Sequence, residues 1–147
     1  MKAVFQHVLV AVDGSATSTK PVELALRLGL QVTALLVAHD YGLPEYLRVA
    51  VHGTPNACEL REEIAAEGRR SLDAALARVE GAERIADRRV MISDKAPCHV
   101  ITDLARREIC DLIVMGAHGA GHHMPSLVGS QAQAVLALAA VPVLVVR

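Results

Sequence analysis

Apolar residues fall into five short runs separated by longer amphipathic stretches. "HVLVAV" (7–12), "VTALLVA" (32–38), "RVMI" (89–92), "DLIVM" (111–115) and "VPVLVV" (141–146) are nearly continuous in aliphatic residues. Runs this short without polar alternation fit strands buried on both faces. Between them the apolar residues recur at helical spacing. Val22, Ala25, Leu26 and Gly29 predict a helix over 18–29, and Leu60, Ile64, Leu72, Leu76 and Val79 one over 57–80. Two more are expected over 96–108 and 130–140. Pro21 suits the first helix if it starts at Ser18 or Thr19, because first-turn amides have no intrahelical partner. Residues 39–56 hold two prolines, two glycines and both tyrosines and read as a loop. Strands that alternate with helices predict a doubly wound α/β fold, mostly parallel, as a single domain over 1–147.

Composition removes several classes of function. A 52% hydrophobic content in 147 residues supplies a sizeable core. Aromatics are 2%, Trp is absent and the net charge is −1, so no nucleic-acid partner is expected. No apolar stretch approaches the roughly 18 residues of a membrane span. The run after Lys2 is broken by Asp13 too early for a signal peptide, so no membrane partner is expected. Cys58, Cys98 and Cys110 are an odd set without framework spacing, which suggests reduced thiols and a cytoplasmic location.

In open α/β sheets ligands bind beyond the carboxyl ends of the strands, near a switch point. Two loops there carry suitable chemistry. One is "VDGS" (12–15). The other is "MGAHGAGHHMPSLVGSQ" (115–131), with the spacing Gly116-x2-Gly119-x9-Gly129-Ser130. Gly116 and Gly119 let a ligand reach the main chain and make positive φ accessible. Gly129-Ser130 opens a helix, whose first amides and dipole attract anions, and the Ser130 hydroxyl adds a donor. A ribose and a polyphosphate fit this scheme; a simple glycine-rich turn is the duller alternative. A Walker loop is excluded by the missing lysine, and "GAHGAG" is not G-x-G-x-x-G. His118, His122 and His123 lack an i, i+4 arrangement for a metal unless the loop is helical. Asp13 reads as a turn or cap residue, or as a carboxylate placed to hold magnesium or polarise water. Ser130 has no activating partner in sequence and otherwise reads as a helix cap.

Taken together, "VLVAVDGS" (8–15), "DLIVMGAHG" (111–119), the G-x2-G-x9-G-S spacing and "VPVLVVR" (141–147) resemble the universal stress protein family over the whole chain. The spacing is that family's ATP-binding pattern. The resemblance implies a Rossmann-like five-stranded sheet in the order 3-2-1-4-5, and a homodimer formed through the last strand, Val141 to Val146. It also implies an adenine nucleotide between the ends of strands 1 and 4: ATP, with AMP or ADP as alternatives and magnesium as a companion. By matching position, Asp13 and Ala38 would lie beside the adenosine, Asp13 as a hydrogen-bonding acceptor and Ala38 as a backbone contact, with Ala11 and Met115 in the same cleft. Gly116, His118 and Gly119 would line the ribose and first phosphate, and Gly129, Ser130 and Gln131 would stand at the outer phosphates. Family members often carry Arg or Lys in the nine-residue spacer, and here residues 120–128 carry none. The three histidines are candidates to supply part of that charge when protonated. The expected function is a stress-response switch or adaptor that binds a nucleotide. The alternatives are a nucleotide-free dimeric interaction protein of the same fold and, with less support, a slow ATPase or nucleotidyl transferase.

Overall fold

A computed structural model describes residues 2–15, 19–39, 57–119 and 127–147. The elements in chain order are β1 (Phe5–Val12), α1 (Thr19–Leu28), β2 (Gly29–His39), α2 (Ala57–Leu76), a 3-10 turn (Ala82–Arg84), β3 (Asp87–Ser93), α3 (Pro97–Arg107), β4 (Leu112–Gly116), α4 (Ser130–Leu138) and β5 (Val143–Val146). The five strands form one parallel sheet in the order β3-β2-β1-β4-β5. The loop expected over 39–56 overlaps the end of β2 at His39, and the rest of it lies outside the described residues.

Strand parity divides the interior in two. Val8, Val10 and Val12 of β1, with Val32, Ala34 and Leu36 of β2, face α1 and α2. Leu9 of β1, Leu35 of β2, and Ile113 and Met115 of β4 face α3 and α4. Both faces of the central strands are therefore buried, which is why their sequences are continuous in aliphatics. Each fully buried Val or Leu contributes about 1.5–3 kcal/mol relative to an exposed one.

Element boundaries differ from the sequence pattern in instructive ways. The first helix stops at Leu28, and Gly29 already pairs with Phe5, so β2 begins three residues before its apolar run. The second helix ends at Leu76 rather than 80. Beyond it, Arg78 and Val79 donate to the carbonyls three residues back, Ala75 and Leu76. This tighter winding keeps Val79 buried, so the apolar stripe outlasts the α-helix. The last strand starts at Val143 because Pro142 has no N–H; its carbonyl still accepts from the Ile113 amide at 3.0 Å.

At the amino ends of the strands, Asp111 ties β4 to β1. Its two carboxylate oxygens accept the amides of Gln6 and His7, each at 2.9 Å, and its own amide donates to the His7 carbonyl at 2.9 Å. Burial alone would raise the Asp111 pKa, but the amides of Gln6 and His7 outweigh it and hold the carboxyl below its ordinary value. A depressed carboxyl stabilises the fold above its unfolded pKa of about 3.9, and that contribution is lost as pH falls through the lower folded value. Asp111→Asn puts an amide donor against one of two backbone donors. We expect it to cost about 1–2 kcal/mol at pH 7, allowing for partial exposure. Urea unfolding of both proteins from pH 7 down to pH 2.5 should show the difference closing as the wild-type carboxyl protonates. A difference that is the same at both ends of this range would assign the effect to something other than the charge.

Candidate functional site

The chain runs β1, β2, β3 toward one edge of the sheet and then crosses back to β4 and β5 on the other side of β1. The connections leaving β1 and β4 pass to opposite faces, α1 to one and α4 to the other. A crevice opens where they part. It holds a cavity of about 270 Å³ lined by residues from β1, β2, β4 and the first turns of α3 and α4.

The β1 loop is built around Asp13. Its Oδ1 accepts the Ser15 amide at 2.8 Å and the Ser15 hydroxyl at 2.6 Å, a side-chain turn that fixes the carboxylate at the cavity mouth. Gly14 between them sits at φ +81°, a conformation only glycine adopts cheaply. The turn-forming role weighed for Asp13 is therefore real, and the residue also lines the cavity.

The β4 loop is held at both ends. The Ala117 amide donates to the Val146 carbonyl at 2.7 Å, and the Gly129 amide donates to the Ala117 carbonyl at 2.6 Å. This second bond brings the two ends of the spacer together, so the residues flanking it share one wall. Gly119 passes against Asp13: a Cβ there would lie 3.2 Å from Oδ2. Positive φ was an expected use of Gly116 and Gly119, but among the described glycines it occurs at Gly14 and Gly81. At Gly119 the missing side chain gives closeness rather than an unusual turn.

Gly129 is the N-cap of α4, with extended backbone, and no side chain caps that helix. Ser130 is the first residue of the helix, which removes the cap reading for its hydroxyl. Gln131 has a structural role in addition to its place in the lining. Its Oε1 accepts the Cys98 amide at 3.2 Å and so links the first turns of α4 and α3 across the cavity.

Of the residues singled out from the sequence, Ala11, Asp13, Met115, Gly116, His118, Gly119, Gly129, Ser130 and Gln131 all line this cavity. Ala38 does not. Strand alternation turns it toward the core under α1 and α2, and it lines a separate cleft of about 600 Å³ between β2 and α2. Its neighbour Val37 faces the cavity instead, with Leu35, Pro97 and Ile101. Sequence reasoning missed these four; the parity of β2 was the signal for Leu35 and Val37. The larger cleft has Glu63 and Glu67 among its polar groups, with Arg70 already paired to Glu67 at 2.6 Å, and offers no converging set of donors. His122, His123 and Pro125 lie outside the described residues. Among the described residues no group of His, Cys, Asp and Glu is arranged to hold a metal.

Cys98 and Cys110 are buried and unbridged. Burial pushes the Cys110 thiol up to about 11, and the nearby charges of Glu108 and Asp111 add to the effect, so it is a poor nucleophile at neutral pH. The Cys58 side chain is outside the described set. No helix among the described residues is long and apolar enough to cross a membrane.

An open α/β sheet with a cleft at its switch point defines the class. The universal stress protein family model matches residues 5–147, and the chain belongs to that family. It is 29% identical to universal stress protein YxiE of Bacillus subtilis, over 97% of this chain and 99% of that protein. It is 30% identical to universal stress protein A homolog 1 of Coxiella burnetii, over 97% and 96%. Among solved structures it resembles universal stress protein UspA from Lactobacillus plantarum, with a TM-score of 0.72, 29% identity, and 99% and 100% of the two chains covered. Two more distant structures share the fold. One is a universal stress protein in complex with cAMP, with a TM-score of 0.58, 23% identity and 99% and 98% covered. The other is the Archaeoglobus fulgidus universal stress protein in complex with dAMP, with a TM-score of 0.60, 20% identity and 98% and 99% covered.

The Gln131 contact yields a test of what that residue does. Gln131→Ala removes the acceptor for a first-turn amide of α3 and should lower stability by about 1 kcal/mol. Urea denaturation at neutral pH measures it. An unchanged midpoint would mean that water replaces the carboxamide and that the bridge between the helices contributes nothing.

Proposed function

We propose that this protein binds an adenine nucleotide in the 270 Å³ cavity and works as a nucleotide-dependent switch or adaptor in a stress response. One observation carries the reading. All four specified positions of the glycine–serine pattern, which are separated from Asp13 in sequence by α1, β2, α2, β3 and α3, line one cavity with it. The inner wall of Leu35, Val37, Ile101 and Met115 is apolar, as the face of a base requires. The outer part offers close backbone at Gly119 and the uncapped start of α4, as a ribose and phosphate require. The cAMP and dAMP held by two structural neighbours are consistent with this ligand class.

Adaptor function is favoured over catalysis by the chemistry of the lining. Ser130 is exposed at the start of a helix, and among the described residues no base is hydrogen-bonded to its hydroxyl. ATP with magnesium, the ligand that the family pattern implies, is one form that the cavity would hold. Asp13 would then stand beside the adenosine, and Gly129 and Ser130 nearest the phosphates.

The assembly we propose is a homodimer through the last strand. β5 lies at a sheet edge, and its four residues Val143, Leu144, Val145 and Val146 are each only half-buried in one copy. Leu136 and Leu138 on the adjacent α4 are 50% and 48% exposed. An apolar edge of this kind invites pairing with a second copy about a two-fold axis.

Two experiments decide. The protein purified without added nucleotide is denatured, and the supernatant is examined by absorbance and mass spectrometry. Calorimetry then titrates the stripped protein with AMP, ADP and ATP, and with GMP as control. Adenine compounds should bind, and Gly119→Val, which forces a branched side chain against Asp13, should weaken them more than tenfold, about 1.4 kcal/mol, with the fold retained. Binding that survives this change undiminished places the ligand elsewhere. Sedimentation at micromolar concentration should give a dimer for the wild type and a monomer for Val145→Lys. A wild-type monomer removes the assembly.

A further inference from the structure

The three most exposed large aliphatic side chains among the described residues stand at one pole of the molecule. Val4 is 67% exposed, Leu30 72% and Ile109 85%. Val4 leads into β1, Leu30 is the second residue of β2, and Ile109 lies in the turn between α3 and β4. Backbone bonds draw these segments together. The Val4 amide donates to the Leu28 carbonyl at 3.0 Å, and Phe5 pairs with Gly29. His7 Nδ1 donates to the Glu108 carbonyl at 3.1 Å, and Asp111 holds the amides of Gln6 and His7. Leu30 thus stands beside the start of β1 on the β2 side, and Ile109 on the β4 side. The strands are parallel, so this pole is the one opposite the cleft. A single exposed aliphatic is ordinary; three brought from separate segments to the start of one strand form a patch.

Ile109 is also held against its own backbone preference. At the end of α3 the Cys110 amide reaches back to the Ala105 carbonyl at 2.8 Å, and the Ile109 amide to the Arg106 carbonyl at 3.3 Å. This is a Schellman turn, and Ile109 occupies its left-handed position with φ +54°. Glycine or asparagine suits that position, whereas a β-branched side chain is strained there. No burial is gained in exchange. Stability of the isolated chain therefore favours neither the shape of this residue nor its exposure, and a contact outside the chain accounts for both.

The rim of the patch is cationic. Lys2, Arg27 and Arg107 are exposed and form no ion pair among the described residues. The neighbouring acids are engaged: Asp87 and Glu108 with Arg89, Asp103 with Arg106, and Asp111 with backbone amides. Glu80 and Glu83 belong to the connection into β3, which also carries Arg78 and Arg84. Arg27 and Arg107 offset the dipoles at the ends of α1 and α3, and exposed guanidinium groups can share that role with a partner's carboxylates.

We propose that this pole docks an acidic segment of another protein that bears aliphatic side chains, with Ile109 as the anchor. The inference is independent of what the cleft binds. A membrane surface fits less well, because interfacial anchors use aromatic residues and clusters of about four to eight basic ones. Short random peptides displayed on phage are selected on the full-length protein, with counter-selection on Ile109→Asn. The enriched peptides should be acidic and carry Leu, Ile or Val. A synthetic copy of the strongest is titrated by calorimetry and mapped by amide NMR shifts, expected at residues 2–6, 27–31 and 107–111. Ile109→Asn should weaken it at least tenfold and at the same time raise the urea midpoint, because asparagine accepts the left-handed backbone. The double change Arg27→Gln and Arg107→Gln should weaken it and flatten its salt dependence. Enrichment of no acidic peptide, or shifts confined to other surfaces, overturns the proposal. Binding that Ile109→Asn leaves unchanged, or that falls together with stability, overturns the anchor. Co-sedimentation of the wild type with phosphatidylserine vesicles in the absence of peptide enrichment assigns the pole to a membrane instead. A wild-type oligomer that Ile109→Asn dissociates assigns it to a second copy of this chain, and either result overturns the acidic partner.

Discussion

The pairing of β1 with β4 is the constraint on which the rest of the site depends. The two strands lie side by side, with Val8, Leu9 and Val10 against Leu112, Ile113 and Val114, although a hundred residues separate them in sequence. At their amino ends the pair is fastened by the carboxylate of Asp111 across the Gln6 and His7 amides. At their carboxyl ends the chain leaves β1 toward one face and β4 toward the other. The same pairing that buries both strands thus forces the crevice open above them. That a crevice lies at this point follows from connectivity before any side chain is considered.

Which residues then line the crevice follows from two short-range devices. The Asp13–Ser15 turn fixes a carboxylate on one side, and the bond from the Gly129 amide to the Ala117 carbonyl closes the second loop on itself. Between them Gly119 passes so near Asp13 that a side chain there would press on the carboxylate, which would have to give by a few tenths of an ångström. The glycine pattern is therefore a pattern of approach. The first glycine of the cleft that uses its conformational freedom is Gly14, in the other loop.

Much of this could be read from the sequence, and the exceptions have physical causes. Continuous valine and leucine runs announced strands buried on both sides, and the alternation with helices announced the doubly wound sheet. The strand order came from the family resemblance, since periodicity carries no information about which strands are neighbours. Boundaries slipped where burial outlasts regular backbone, as at Val79, or where pairing begins before the apolar run, as at Gly29. At the cleft, nine of the ten residues chosen from the motif and the resemblance line the cavity. The side chain of the tenth, Ala38, points to the other face of the sheet because positions along a strand alternate, and Val37 takes its place in the lining, while the contact expected of Ala38 was one through its backbone. Pro97 and Ile101 were out of reach in a different way. They come from a helix that the motif does not mention, brought to the cleft only by packing against the α3/α4 side of the sheet.

The division of labour within the cleft also explains why its polar groups cannot all be judged by the same standard. Gln131 stands in the lining, yet its carbonyl oxygen already holds the α3 amide of Cys98, so its contribution to a ligand competes with its contribution to the fold. The Asp13 carboxylate is divided similarly: Oδ1 organises the turn, and Oδ2 faces the glycine loop. Ser130 differs from both. It opens α4 without capping it, and no other element in the described structure takes up its hydroxyl. A helix start left without a side-chain cap forgoes about 1 kcal/mol of available stabilisation. In a protein otherwise well supplied with backbone partners, that open end is the part of the cleft whose chemistry is best completed from outside the chain.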